Sequence, residues 1–130
     1  MLLMLVAFIW YKYFPMLFAV DPVNLVFYPG NGRIWTIVTA IFIHAGWLHL
    51  LGNLVYFNVF APILENRVGH GMFLVYFLLM GILGNVMHGL VASQGWFGQY
   101  GMGVLGASGA IAGLLAFSLV GFRNAKVEIA

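Results

Sequence analysis

Met72–Ala92 reads MFLVYFLLMGILGNVMHGLVA and holds no Asp, Glu, Lys or Arg. A helix needs about 20 mostly apolar residues to cross the roughly 30 Å hydrocarbon core of a bilayer, and this stretch supplies them. Outward from it, residues 68–122 carry no charged side chain, a run too long for one crossing, so it must contain a helical hairpin. Residues 34–64 are uncharged as well. Of the 130 residues, 64% are apolar and 6% charged, against roughly 45–50% and about 25% in an ordinary soluble domain. A soluble surface and a disordered chain are thereby excluded. Nucleic-acid binding is excluded too, because five scattered Lys and Arg cannot neutralise a run of phosphates. The chain has no Cys, hence no disulfide framework, thiolate metal site or Cys nucleophile. The class that remains is an all-α membrane protein, since a spanning helix satisfies its own backbone groups.

The composition predicts a polytopic helical bundle in one domain, 1–130, with approximate spans at 1–20, 48–64, 72–92 and 107–122 and a long, partly membrane-embedded loop at 21–47. The first segment is either a short span, with Pro15 as its kink or end, or the tail of a longer one; a signal peptide lacks its basic lead and cleavage site here. Within the long loop, Ile34–Ile43 is apolar but too short to cross alone, and reads as interfacial or re-entrant. The 48–64 helix ends at a polar cluster, Glu65-Asn66-Arg67. The loop 93–106 is rich in Gly, with Trp96, Phe97 and Tyr100 suited to an interface. Arg67, Arg123 and Lys126 fall on one side, which reads as cytoplasmic; Arg33 falls opposite, and Lys12 fits either side.

Polar groups at membrane depth are costly and mark candidate sites; the bland alternative for each is a helix–helix hydrogen bond. His49 and Asn53 are spaced i, i+4 and share a helix face. His44 lies at the loop–helix junction before them. Ser108 sits in Gly103-Val104-Leu105-Gly106-Ala107-Ser108-Gly109-Ala110. It is either an N-cap or a nucleophile at a helix N-terminus, where first-turn N–H groups and the helix dipole stabilise an oxyanion. Gly109 and Gly113 form a G-x-x-x-G, which is also a packing signature. Depth joins these features. Ser108 lies about 21 Å up from Phe122, and His49 and Asn53 lie about 24 and 18 Å up from Glu65, at 1.5 Å per residue. Three polar side chains at one level predict a shared, water-accessible cavity. Asn85 and His88, spaced i, i+3, read as structural.

Taken together, these residues resemble the rhomboid family of intramembrane serine proteases, over about Trp35 to Phe122. His44-Ala45-Gly46-Trp47-Leu48-His49-Leu50-Leu51-Gly52-Asn53 resembles the family's H-x-x-x-x-H-x-x-x-N segment. Glu65-Asn66-Arg67 resembles its E-x-R, and Gly106-Ala107-Ser108-Gly109 its G-x-S-G. The resemblance implies a six-helix core, of which about four helices are present here, and a Ser–His dyad. It implies Ser108 as nucleophile, with His49, Asn53 and the Ser108 N–H as oxyanion donors. Gly106, Gly109, Glu65, Arg67, His44 and Trp35 would be structural supports. Thr36 stands where the family often has Arg, and Ala112 where many members carry an aromatic. The general base is expected from a His downstream of this chain, since none follows His88. The chain is therefore expected to be a fragment of a longer protease, inactive alone because a serine without a base is a weak nucleophile.

The implied activity is endoproteolysis of transmembrane segments, with a transmembrane protein substrate and the lipid bilayer as partners and no cofactor or metal. The implied location is a multi-pass integral membrane setting, plasma or inner membrane if bacterial. The alternative is a catalytically inactive rhomboid-like protein that binds transmembrane helices. A small transporter or channel subunit ranks below both, since only His49 and His88 offer an ionisable group on a path through the membrane.

Overall fold

The computed structural model describes residues 1–14, 21–30, 32–95 and 103–121. Every regular element among them is helical: α1 (Leu2–Tyr13), α2 (Thr36–Thr39), α3 (Trp47–Val68), α4 (His70–Ser93) and α5 (Ser108–Gly121), with 3₁₀ turns at Pro22–Leu25 and Ala40–Phe42. Pro15, Trp96, Phe97, Tyr100, Phe122, Arg123 and Lys126 lie outside the described residues, so the expectations placed on them do too.

The 22 residues of α3 and 24 of α4 are long and apolar enough to cross a membrane, at mean hydropathies of 1.4 and 1.9. Most of their exposed side chains are apolar as well, Val55 and Val59 on α3 and Leu74, Leu79 and Leu83 on α4 among them, with Asn58 an exposed polar exception in mid-α3. The 12 residues of α1 and 14 of α5 are apolar but shorter. The sequence ended the second span at Leu64, whereas α3 continues through Glu65-Asn66-Arg67 to Val68. Charge marks where a helix leaves hydrocarbon, and a helix can run on beyond that level. What stops α3 is Gly69, whose φ of +80° suits glycine. The chain reverses there at once. Phe57 of α3 then meets Phe73 and Phe77 of α4, with ring centroids 5.8 and 5.6 Å apart.

The contact between α4 and α5 is backbone on backbone. A Cβ added to Gly84 would lie 3.3 Å from the Gly109 Cα, and one on Gly113 would run into Met80 at 2.7 Å. Lipid tails solvate an apolar helix as well as another helix does, so close approach of this kind supplies the van der Waals contact that holds helices together. Gly109-x-x-x-Gly113 is thus a packing surface. The core it seals contains Phe8, Ile41, Leu50, Leu64, Ala107, Ala110 and Leu114.

The long loop is built into this core. Asp21 caps its first turn by accepting from the Val23 N–H, and the Thr39 hydroxyl donates to the Leu25 carbonyl. Ile34–Ile43, expected to be interfacial or re-entrant, forms α2 and the following 3₁₀ turn. Ile41 fits over Gly81 of α4, and the Asn85 amide donates to the Ile37 carbonyl at 2.7 Å. Three further backbone hydrogen bonds reach the approach to α5. Phe27 and Val104 exchange both backbone hydrogen bonds in an isolated antiparallel bridge, and the Gly106 N–H donates to the Ala40 carbonyl at 2.8 Å.

Candidate active site

Three polar residues from two helices line one cavity. It lies between α3 and α5 and holds about 380 Å³. From α3 come His49 and Asn53, and from α5 comes Ser108; Leu48, Gly52, Tyr56, Ile111, Ala112 and Leu115 complete a mostly apolar wall, in which Tyr56 carries the one further hydroxyl. A mostly apolar cavity with a few convergent polar groups is the usual form of a small binding or reaction site.

Each polar group is held differently. Ser108 is the first residue of α5 and is exposed. Among the described residues its hydroxyl makes no hydrogen bond to the first turn, so it is not spent as a cap. Its own N–H belongs to the unpaired set at a helix N-terminus, where partial positive charge gathers. Asn53 is buried and donates one amide hydrogen to the His49 carbonyl at 2.9 Å. An amide carries two such hydrogens, so a second donor remains for a ligand. His49 is half-buried, and its Nδ1 accepts from the Ala45 N–H at 3.4 Å. A neutral imidazole that accepts at Nδ1 carries its proton on Nε2.

Gly106 brings the serine segment against this imidazole. A Cβ on Gly106 would come within 2.7 Å of both Cε1 and Nε2 of His49, and 3.7 Å from Nδ2 of Asn53. Gly106 also has φ +106°, a conformation that side chains rarely allow. Glycine is needed here on both counts. Gly109, one residue past Ser108, is the point where α5 touches Gly84.

His44 is fully buried beside the cavity, with its ring edge-on to that of His49 at 5.2 Å between centroids. Its Nδ1 pairs with the Phe42 carbonyl at 3.2 Å, and its Nε2 has no hydrogen-bond partner among the described residues. Burial, then the neighbouring His49, push its pKa down to about 4, so it is neutral at pH 7. The remaining sequence candidates stand apart from the cavity. Trp35 is exposed at the start of α2, and Arg67 lies in the last turn of α3. Thr36, where the resembled family often has Arg, is buried and donates to the Arg33 carbonyl. Glu65 pairs across the α3–α4 turn with His70, a residue the sequence reading passed over. Their spacing of five across a Gly was the available signal.

Comparison with known proteins gives a consistent result. The family model for the rhomboid domain matches residues 31–130. Over 96 residues the chain is 40% identical to "Putative rhomboid protease YdcA" of Bacillus subtilis, covering 72% of this chain and 45% of that protein. It is 38% identical over 99 residues to "Rhomboid-like protease 3" of Toxoplasma gondii, covering 76% and 33%. It is 34% identical over 98 residues to "Rhomboid-like protein 11, chloroplastic" of Arabidopsis thaliana, covering 75% and 32%. The chain thus spans less than half the length of the curated relatives it matches. No solved structure matches it.

Proposed function

The chain belongs to the rhomboid family, and from that premise we propose that it carries the nucleophile and oxyanion half of an intramembrane serine endopeptidase. The whole protein would be multi-pass and would cleave transmembrane segments of other membrane proteins. The observation that carries the proposal is the shared cavity: Ser108, His49 and Asn53 line it together, from two helices.

In the reaction, the Ser108 Oγ attacks the carbonyl carbon of the scissile peptide. The carbonyl oxygen becomes an oxyanion, received by the Ser108 N–H, the His49 Nε2–H and the free Asn53 N–H. Preorganised donors of this kind are usually the largest single catalytic contribution. The hydroxyl proton passes to a base and then to the leaving amine as the C–N bond breaks. Water resolves the acyl-enzyme by the same route. His49 is the one imidazole lining the cavity, and its Nδ1 already accepts a hydrogen bond. It is therefore suited to donate through Nε2 and poorly suited to take the proton. His88 of α4 is not among the lining residues. We assign the base to a histidine elsewhere in the whole protein.

The test uses the full-length protein reconstituted in liposomes with a transmembrane model substrate. Cleavage, fluorophosphonate labelling at Ser108, and loss of both in Ser108→Ala are expected. Cleavage that survives Ser108→Ala would overturn the proposal. Full-length protein that neither cleaves nor labels, yet still captures the substrate helix, would assign it instead as a non-catalytic binder.

A further inference from the structure

The oxyanion assignment depends on the His49 proton being on Nε2, and what enforces that tautomer lies outside the cavity. The Ala45 N–H donates to His49 Nδ1 at 3.4 Å. Ala45 belongs to the turn between the 3₁₀ segment Ala40–Phe42 and α3, and a turn can rotate its peptide groups unless something fixes them. The adjacent peptide is fixed. The His44 N–H donates to the Tyr11 hydroxyl of α1 at 3.1 Å, a contact spanning 33 residues. The His44 ring is held by the Phe42 carbonyl. Consecutive N–H groups in this turn thus have consecutive duties: one is anchored by α1, and the next selects the His49 tautomer.

α1 is itself seated for this task. The Phe8 ring stands edge-on to Tyr11 at 5.4 Å and to Trp47 of α3 at 4.8 Å. The Trp47 indole N–H donates to the Tyr13 hydroxyl at 3.3 Å. The last turn of α1 is clamped to the first turn of α3, and Tyr11 projects from it to the turn that serves His49. We infer that Tyr11 is a positioning residue for the oxyanion site, its hydroxyl holding the 44–45 turn so that His49 presents Nε2–H to the cavity.

The inference rests on the proposed function, but its primary test does not require activity. Full-length protein labelled with ¹⁵N-histidine in nanodiscs reports the tautomer directly, with the His49 signals assigned by their loss in His49→Gln. Wild type is expected as the Nε2–H form. Tyr11→Phe keeps the ring against Phe8 and removes only the hydroxyl; it is expected to give a mixture of tautomers. It should also lower kcat about tenfold with KM unchanged, the size of a partial misplacement of a catalytic group. Tyr76→Phe on α4, at a tyrosine that packs its ring on Phe117 and takes no part in the clamp between α1 and α3, should change neither reading. If Tyr11→Phe does not fold, 3-fluorotyrosine at position 11, a weaker acceptor of nearly the same shape, should give the same shift in smaller measure. A His49 tautomer that stays Nε2–H in either variant overturns the inference, whatever the activity. A wild-type protein that does not cleave overturns the proposed function, and the tautomer still decides the role of Tyr11.

Discussion

Gly106→Ala probes the site through one methyl group. The methyl would stand 2.7 Å from His49 Cε1 and Nε2, where ordinary contact begins at 3.4 Å. Something must therefore move by about 0.7 Å. The backbone of Gly106 is poorly placed to yield, since its N–H is bonded to the Ala40 carbonyl at 2.8 Å and Val104, two residues before, is paired with Phe27. The imidazole is the softer partner, held at Nδ1 by a single 3.4 Å bond. A displacement near 1 Å at a catalytic group costs on the order of 100-fold in rate, so kcat should fall about 10- to 100-fold, with KM changed little. The φ of +106° adds strain of roughly 1–3 kcal/mol for a residue with a Cβ, visible as a lower melting temperature. The assay is steady-state cleavage by the full-length protein in liposomes, with a thermal melt alongside. Gly71→Ala is the control: its methyl meets nothing within 4 Å and lies in the first turn of α4, so activity should be unchanged. A folded Gly106→Ala protein with kcat within about twofold of wild type would refute the placement of His49 as a donor against this glycine.

Further outcomes follow from the same contacts. Asn53→Ala removes the free amide donor and should lower kcat about 10²- to 10³-fold with little change in KM, measured in the same cleavage assay. Asn85→Ala leaves the part-buried Ile37 carbonyl without the donor that the buried Asn85 amide supplies and should destabilise the fold by about 1–3 kcal/mol, read by chemical or thermal unfolding in detergent. His44 sets a pH dependence. Its pKa is pushed down to about 4 in the fold from an unfolded value of about 6.5, so the unfolded chain binds the proton more readily. The neutral imidazole's contribution is then complete above about pH 6.5 and is lost as pH falls toward 4, up to about 3 kcal/mol. Unfolding at pH 7 and pH 4.5 should show that loss in wild type and a smaller one in His44→Asn; equal losses in the two proteins would count against it.

How much of this was legible in the sequence depends on the range of each interaction. α3 and α4 were legible because a bilayer demands long apolar runs and the chain has few alternatives. The end of α3 was misplaced because Glu65 and Arg67 report the edge of the hydrocarbon, while Gly69 reports the end of the helix. His49 and Asn53 could be paired from helical spacing, and a rise of 1.5 Å per residue set Ser108 at their depth. What the sequence could not reveal are bonds with a backbone group at one end: the Gly106 N–H to the Ala40 carbonyl, the Asn85 amide to the Ile37 carbonyl, and the His44 N–H to the Tyr11 hydroxyl. A backbone group has no residue-type signature, so such partners emerge only when the chain is folded. Asn85 shows this well. Spacing grouped it with His88, but it serves the long loop.

The small residues around Ser108 can now be separated by what each one admits. Gly106 makes room for the His49 ring, Gly109 for the backbone of α4 at Gly84, and Gly113 for Met80. Ala107 and Ala110 are fully buried in the core. Each gives up a side chain to a different neighbour, and together they hold the start of α5 on several sides. Ser108 is the residue of this segment whose side chain is left exposed at the cavity with a functional group. A packing stripe alone would explain Gly109 and Gly113 but would not require the positive φ at Gly106 or its approach to an imidazole. A helix cap alone would engage the serine hydroxyl, which here stays free of the first turn among the described residues. The arrangement that accounts for all of these at once is a rigid N-terminus that presents one hydroxyl beside two side-chain donors. Substitutions should accordingly divide by direction. Enlarging Gly109 or Gly113 should lower stability first, and enlarging Gly106 should lower turnover first.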